Sequence, residues 1–250
     1  MARIAVAVAA LLTSLVIQPS LPAQTLTTLG GIARLPAAKP VEQHDRRCAD
    51  VGSTKSARIL DTATNLLKNR VDDASHYTLT TIATLLKLPF DATDADAGDM
   101  PTTRNAWSSA DRARTARYES RAIALDGYLV GVTVERSGET TNCGIRDTSW
   151  FDYHMWLVKT EAEAHRGDKS KAVVAEATPR VRRAHESAFD IEQIRKWARD
   201  GVRVRVSGWL FLDPDHPDDT RADRSGRPAS RGTIWEIHPV MKMEPVRKGR

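Results

Sequence analysis

Cysteine is nearly missing from this chain: Cys48 and Cys143 are the two it has in 250 residues. Two thiols cannot build a cysteine-based zinc site, and no C-x-x-C pair is present to carry redox chemistry. Reaction signatures are missing too. There is no G-x-x-x-x-G-K-[ST], no strand-opening G-x-G-x-x-G, no H-E-x-x-H and no G-x-S-x-G. That leaves no phosphate-cradling loop, zincin helix or nucleophile elbow to name a reaction, so the sequence leans toward binding rather than catalysis. No period of roughly 20 to 50 residues recurs, which argues against a repeat array. Beyond the first residues no apolar run approaches the roughly 20 residues that a spanning helix needs.

What is present begins with a leader. Met1-Ala2-Arg3, the apolar run 4–17 and the exit 18–23 have the n-region, h-region and small-residue end of a secretory signal peptide, with cleavage expected after Ala23. The mature chain is then secreted or periplasmic, with no membrane span. In that oxidising space Cys48 and Cys143 either pair, tying the front segment to the sheet, or stay apart; sequence separation does not decide. Apolar residues make up 41% and charged ones 28%, an ordinary globular balance. The charge of +5 is diffuse, with acids interleaved throughout, and is a weak footprint for nucleic acid.

In chain order, residues 24–47 read as a flexible linker without sustained period. Residues 48–120 read as a helical segment packed on a barrel: an amphipathic helix over 53–70 with Lys68 and Arg70 suited to the dipole of its last turn, a short helical turn at 80–87, an exposed connection at 91–103, and a helix from Ser109, its expected cap, to Tyr118. Residues 121–246 carry the β signal. Strands are expected at 121–135, 151–160, 172–181, 202–212 and 233–244, with a helix at 189–199 and a long polar loop at 213–230. Gly127 and Gly131 inside the first strand mark bulges or sharp coiling. Three strands, a helix and two strands is the order of the OB-fold, so the fold class is mainly β with helices (α+β), a five-stranded OB-like barrel preceded by an N-terminal helical layer.

At this point the chain resembles a family of uncharacterised secreted bacterial OB-fold-like proteins. The residues that carry the resemblance are Asn142-Cys143, Asp152-Tyr153-His154, Gly208-Trp209-Leu210, Asp213-Pro214-Asp215-His216-Pro217 and Trp235-Glu236-Ile237-His238-Pro239. It spans about residues 48–245 and implies a fold, with no chemistry attached.

Two acid-x-His frames stand out on different strands. Residues two apart on a strand share a face, so Asp152 pairs with His154 and Glu236 with His238, and the strand holding Glu176 is expected between them. These five are the candidate ligands for a cation such as Zn²⁺ or Mn²⁺, or an acid–base cluster; His216 could join them. The plainer reading makes them hydrogen-bonded residues at the barrel mouth. Cys143, His154 and Asp152 also have the composition of a thiol nucleophile with base and orienter. Tyr153, Trp156, Trp209 and Trp235, with Arg180 for phosphate, are the candidate platform for single-stranded nucleic acid or oligosaccharide, while core packing is the ordinary use of such aromatics. The favoured function is an exported binding or interaction module for an unknown ligand or envelope protein. A metal-dependent hydrolase, with phosphodiesters as a candidate substrate, is the alternative.

Overall fold

In the computed structural model, which describes residues 48–53, 59–89, 104–135, 139–185, 189–222 and 224–247, the N-terminal part contributes α1 (Ile59–Lys68), β1 (Thr78–Thr80), α2 (Ile82–Leu85) and α3 (Ser109–Thr115). There follow β2 (Ala122–Val134), β3 (Tyr153–Val158), α4 (Glu161–His165), β4 (Val173–Ala177), α5 (Pro179–Ala184), α6 (Ile191–Arg199), β5 (Arg203–Leu212) and β6 (Trp235–Pro245). The expected leader at 1–23, linker at 24–47 and connection at 91–103 lie outside the described residues.

The strand order is β1-β2-β3-β4-β6-β5, and β2 also pairs with β5. The chain is therefore α+β, with a closed five-strand barrel of OB-like order and a sixth strand bonded outside it. The β4–β6 pair is parallel and the other barrel pairs are antiparallel.

Closure depends on β2 serving two neighbours. Its first half, Ala122 to Tyr128, pairs with β5 and its second half, from Tyr128 to Val134, with β3. Gly127 stands at the handover, where a Cβ would lie 2.9 Å from the Val158 carbonyl oxygen; β3 can approach that closely because no side chain intervenes. The register slips between Leu129 and Gly131, a bulge that adds the coiling a small barrel needs. Gly208 does the same for β5, where a Cβ would fall 2.3 Å from the Pro239 carbonyl oxygen.

Alternation divides the strands into two faces. One face turns Leu129, Met155, Leu157, Val173, Ala175, Leu210, Leu212, Trp235 and Ile237 into a single apolar core, in which each buried large side chain contributes about 1.5–3 kcal/mol. Trp235 packs edge-on against Tyr118 and donates its indole N–H to the Pro89 carbonyl. Ile194 of α6 is buried in the same core.

The opposite face carries His154, Glu176, Phe211, Glu236 and His238. All but His154 are buried as well, because the N-terminal segment lies over them. Lys68 of α1 and Arg104 reach across Phe211. Arg104 also grips Glu119 at 2.7 and 2.5 Å and donates to the Leu212 carbonyl. Cys48 and Cys143 are joined, with sulfurs 2.03 Å apart, which ties the first described segment to the loop ahead of β3. Among the described residues no helix is long and apolar enough to cross a membrane.

Several local expectations need correction. The strand expected over 172–181 ends at Ala177, because Thr178 accepts from the Val181 amide and Pro179 opens α5; a proline at the first helical position loses no hydrogen bond. The turn expected over 80–87 is the four-residue α2, capped by Thr81. The cap of α3 is Ser108 rather than Ser109, in a reciprocal capping box with Asp111. β1 has too few residues for a periodic signal, and it pairs in parallel with Ile123 to Leu125.

Candidate metal-binding site

Glu176 sits at the centre. Strand register sets it opposite His154 on β3, and the single parallel link Ala175–Ile237 sets it beside Glu236 and His238 on β6. Glu176 Oε2 is 3.2 Å from His154 Nε2 and 3.0 Å from His238 Nδ1. His238 Nδ1 is also 2.9 Å from Glu236 Oε1. Asp152, immediately before β3, completes the group: one donor atom each from Asp152, Glu176 and His238 lie within 4.8 Å of one another, and all three residues are buried.

Among the described residues, each of two donors is anchored at one atom and unpartnered at the other. Asp152 Oδ1 accepts from Asn142 Nδ2 at 3.1 Å, while Oδ2 is buried without a hydrogen bond. His238 Nδ1 lies against the two carboxylates, while Nε2 is buried without a hydrogen bond. An unpaired buried polar atom costs about 1–3 kcal/mol. A carboxylate on the far nitrogen is also the usual way a metal-binding histidine is oriented. Donors around one tetrahedral Zn²⁺ stand about 3.4 Å apart, given Zn–N and Zn–O lengths near 2.0–2.2 Å, so shifts of about 1 Å or less would close the group on an ion.

The carboxylates favour positive charge on the imidazoles, so an ion binding here would displace a proton from His238. Burial works against the imidazolium of His238, yet the charge and hydrogen bonds of Glu176 and Glu236 outweigh it and push the pKa up to about 10. His154 is pushed up to about 9 in the same way, burial again opposing and Glu176, Asp152 and Glu135 prevailing. Burial pushes Asp152 up to about 6. Burial would raise Glu176 too, but the two histidines hold it well below the usual carboxylate range. Burial, with Glu176 and Asp213 nearby, pushes Glu236 up.

Sequence reasoning missed four participants. Lys68 is buried and, despite that burial, is held in its charged form by Asp213, Glu236, Glu176 and Glu139; its sequence context offered only a cation in a last helical turn. Arg231 bridges Asp213 Oδ2 at 3.1 Å and Glu236 Oε2 at 3.3 Å. Asn142 orients Asp152. None of these has a local signature, because each arrives from a different segment. His216 stands half-exposed, 3.8 Å from Asp213, outside the donor group.

The other candidate sets fare differently. Trp235 is fully buried, so it has no face to offer a base or sugar. Arg180 is buried on α5 and donates to Asn69, Asn142 and the Thr141 and Ala49 carbonyls, which leaves it away from any phosphate. Tyr153 and Trp156 are three residues apart on β3 and so point to opposite faces. Each carries a cation of its own: Arg182 at 3.9 Å from the Tyr153 centroid, and Lys169 at 3.4 Å from that of Trp156. Trp209 has Arg70 3.4 Å over its ring and donates to the Asp72 carbonyl. The five do not form one stacking platform. Cys143, being disulfide-bonded, has no thiol to serve as a nucleophile.

Comparison with known protein families, curated proteins and solved structures finds no match for this chain.

Proposed function

We propose that this protein is an exported OB-like binding module that holds one divalent transition-metal ion, Zn²⁺ or Mn²⁺, through Asp152, Glu176 and His238. The observation that carries the reading is the three-residue donor group itself, in which one donor atom each from Asp152, Glu176 and His238 lie within 4.8 Å of one another; Asp152 Oδ2 and His238 Nε2, buried without a hydrogen bond among the described residues, support it. One imidazole and two carboxylates suit Zn²⁺ or Mn²⁺. Glu236 and Arg231 act outside the donor group, Glu236 against His238 Nδ1 and Arg231 against Glu236. Export is supported by the leader-like first residues and by a disulfide of the sort that persists in oxidising compartments.

Holding an ion is favoured over metal-assisted hydrolysis because Asp152, Glu176 and His238 are only 1%, 4% and 2% exposed. A hydrolytic metal needs an open position that substrate can reach.

Purified protein, stripped with chelator and then given Zn²⁺ or Mn²⁺ in turn, is expected to retain about one equivalent through dialysis, as a built donor group does. Saturation at about a hundredfold over Kd should add about 2.7 kcal/mol of stability. Asp152→Ala and His238→Ala are expected to abolish both effects. Retention below about one-tenth equivalent of either metal, with no stability gain, would remove the proposal.

A further inference from the structure

One chain of contacts runs from the disulfide to the donor group. Asn142 precedes Cys143, and its side chain works in two directions: Nδ2 donates to Asp152 Oδ1 at 3.1 Å, while Oδ1 accepts from Arg180 at 3.2 Å. Arg180 is in turn held by the segment on the other side of the bridge. It donates to the Ala49 carbonyl at 2.9 Å and the Cys48 carbonyl at 3.4 Å, and pairs with Asp50 at 3.4 Å. Asn69 of the N-terminal layer takes a further bond from Arg180 at 2.8 Å. At Cys143 itself the backbone is left-handed, with φ of 55°, a conformation that non-glycine residues hold only where the surroundings impose it.

We infer that Asn142 and Arg180 are positioning residues for the metal site, and that the Cys48–Cys143 bridge holds them in place, so that metal affinity depends on the bridge being intact. This rests on the metal reading above. Asp152 has two oxygens, and the Asn142 amide fixes which one is left for the ion. The carboxylate can rotate only by giving up that bond, inside a buried space where, among the described residues, no other donor reaches Asp152. The Asn142 amide is fixed by Arg180. The backbone under Asn142 is fixed by the bridge at Cys143, and the carbonyls that hold Arg180 are fixed by the bridge at Cys48. Opening the bridge frees both ends of the clamp at once. Partners one step removed from a metal ligand are typically worth about 10–100-fold in affinity, which is the scale expected here.

The test is a Zn²⁺ titration against a competing chromophoric chelator, on the oxidised full chain and on three variants, with thermal unfolding of each metal-free protein measured alongside. Asn142→Ala is expected to bind about tenfold or more weaker, and its metal-free unfolding should fall as well because Asp152 Oδ1 loses its donor, so the affinity is read well below that transition. Asn142→Gln keeps an amide and should recover part of the loss. Arg180→Lys keeps the charge without the fork of donors and should weaken binding in the same direction. The Cys48→Ser, Cys143→Ser double variant should weaken binding to a similar extent. If that variant fails to fold, the wild type titrated after its Cys48–Cys143 bridge is reduced under native conditions reads the same dependence, an unchanged affinity overturning the role given to the bridge, while Asn142→Ala reads the positioning role with the bridge in place. Wild-type binding with unchanged affinity in Asn142→Ala and Arg180→Lys would overturn this inference and leave the metal reading standing. Absence of Zn²⁺ binding by the oxidised wild type would overturn both.

Discussion

The two faces of one set of strands are buried by different means. Inside the barrel, Leu125, Met155, Leu157, Val206, Leu212 and Ile237 pack as an apolar core. On the outer wall, Glu176, Glu236 and His238, with Lys68 reaching in from α1 and Asp213 and Arg231 beside them, are hidden from water to a similar degree. Apolar burial is non-directional and favourable for every side chain included. Burial of charge is favourable only when each group meets its partner, and even then a well-packed apolar layer is often as stable or more so. A protein needing only to seal its N-terminal layer onto the barrel has a simpler solution in leucine. The charged wall is therefore better explained by what it can hold than by what it adds to stability.

The widest effects should come from unpairing that wall. Glu119→Ala strands Arg104 and the Leu212 amide and is expected to cost about 3–5 kcal/mol in urea unfolding, whereas Arg104→Met with Glu119→Leu should cost less, because no charge is left buried and only the Leu212 amide and carbonyl lose a partner. Equal losses for the single and double variants would mean that the wall behaves like the core. Leu125→Ala, fully inside the barrel, should cost about 2–5 kcal/mol by leaving a cavity, without changing Zn²⁺ affinity; a large affinity change would tie the two faces together.

A smaller and pH-dependent difference is expected next. His154 and His238 have folded pKa values of about 9 and 10, raised from 6.5. Their contribution is fully present below about pH 6.5 and is lost as pH rises through 9 to 10. Asp152, raised to about 6 from 3.8, acts in the same direction at lower pH, its cost growing between those two values. The melting temperature of metal-free protein should thus decline from pH 6.5 to 10. With Zn²⁺ bound, His238 is already neutral and the decline should shrink. A metal-free profile flat over that range would show that the two imidazoles are neutral in the folded protein. The smallest effect is expected at the surface, where Arg205 pairs with Asp126 at 2.6 Å across β5 and β2. Arg205→Ala should cost about 1 kcal/mol or less, diminishing further with salt; a loss as large as that of Glu119→Ala would erase the contrast between buried and exposed pairs.

Particular elements explain what could be read from the chain. β5 alternates cleanly from Arg203 to Leu212, and β2 is long, β-rich and punctuated by glycines, so their strand character was legible. Thr178-Pro179 is a helix-opening pair that reveals α5 once it is weighed against the apolar run before it. β1 was not legible, since three residues carry no period. In the site, the acid-x-His frames were legible because period-two alternation sets Asp152 with His154 and Glu236 with His238. Lys68, Asn142, Asp213 and Arg231 were not, since their partners lie tens to more than a hundred positions away or across a turn.

The sequence by itself determined which segments become the five barrel strands, their OB-like order, and which acids and imidazoles share a strand face, because these follow from local periodicity and turn chemistry. Tertiary structure alone decided that the bridge forms and that the cluster lies on the covered outer wall rather than at an open mouth. It also decided that Trp235 and Arg180 are buried instead of offered to a ligand. Those outcomes depend on which surfaces meet across long loops, and no local pattern encodes the distance between residues that touch only after the barrel has closed.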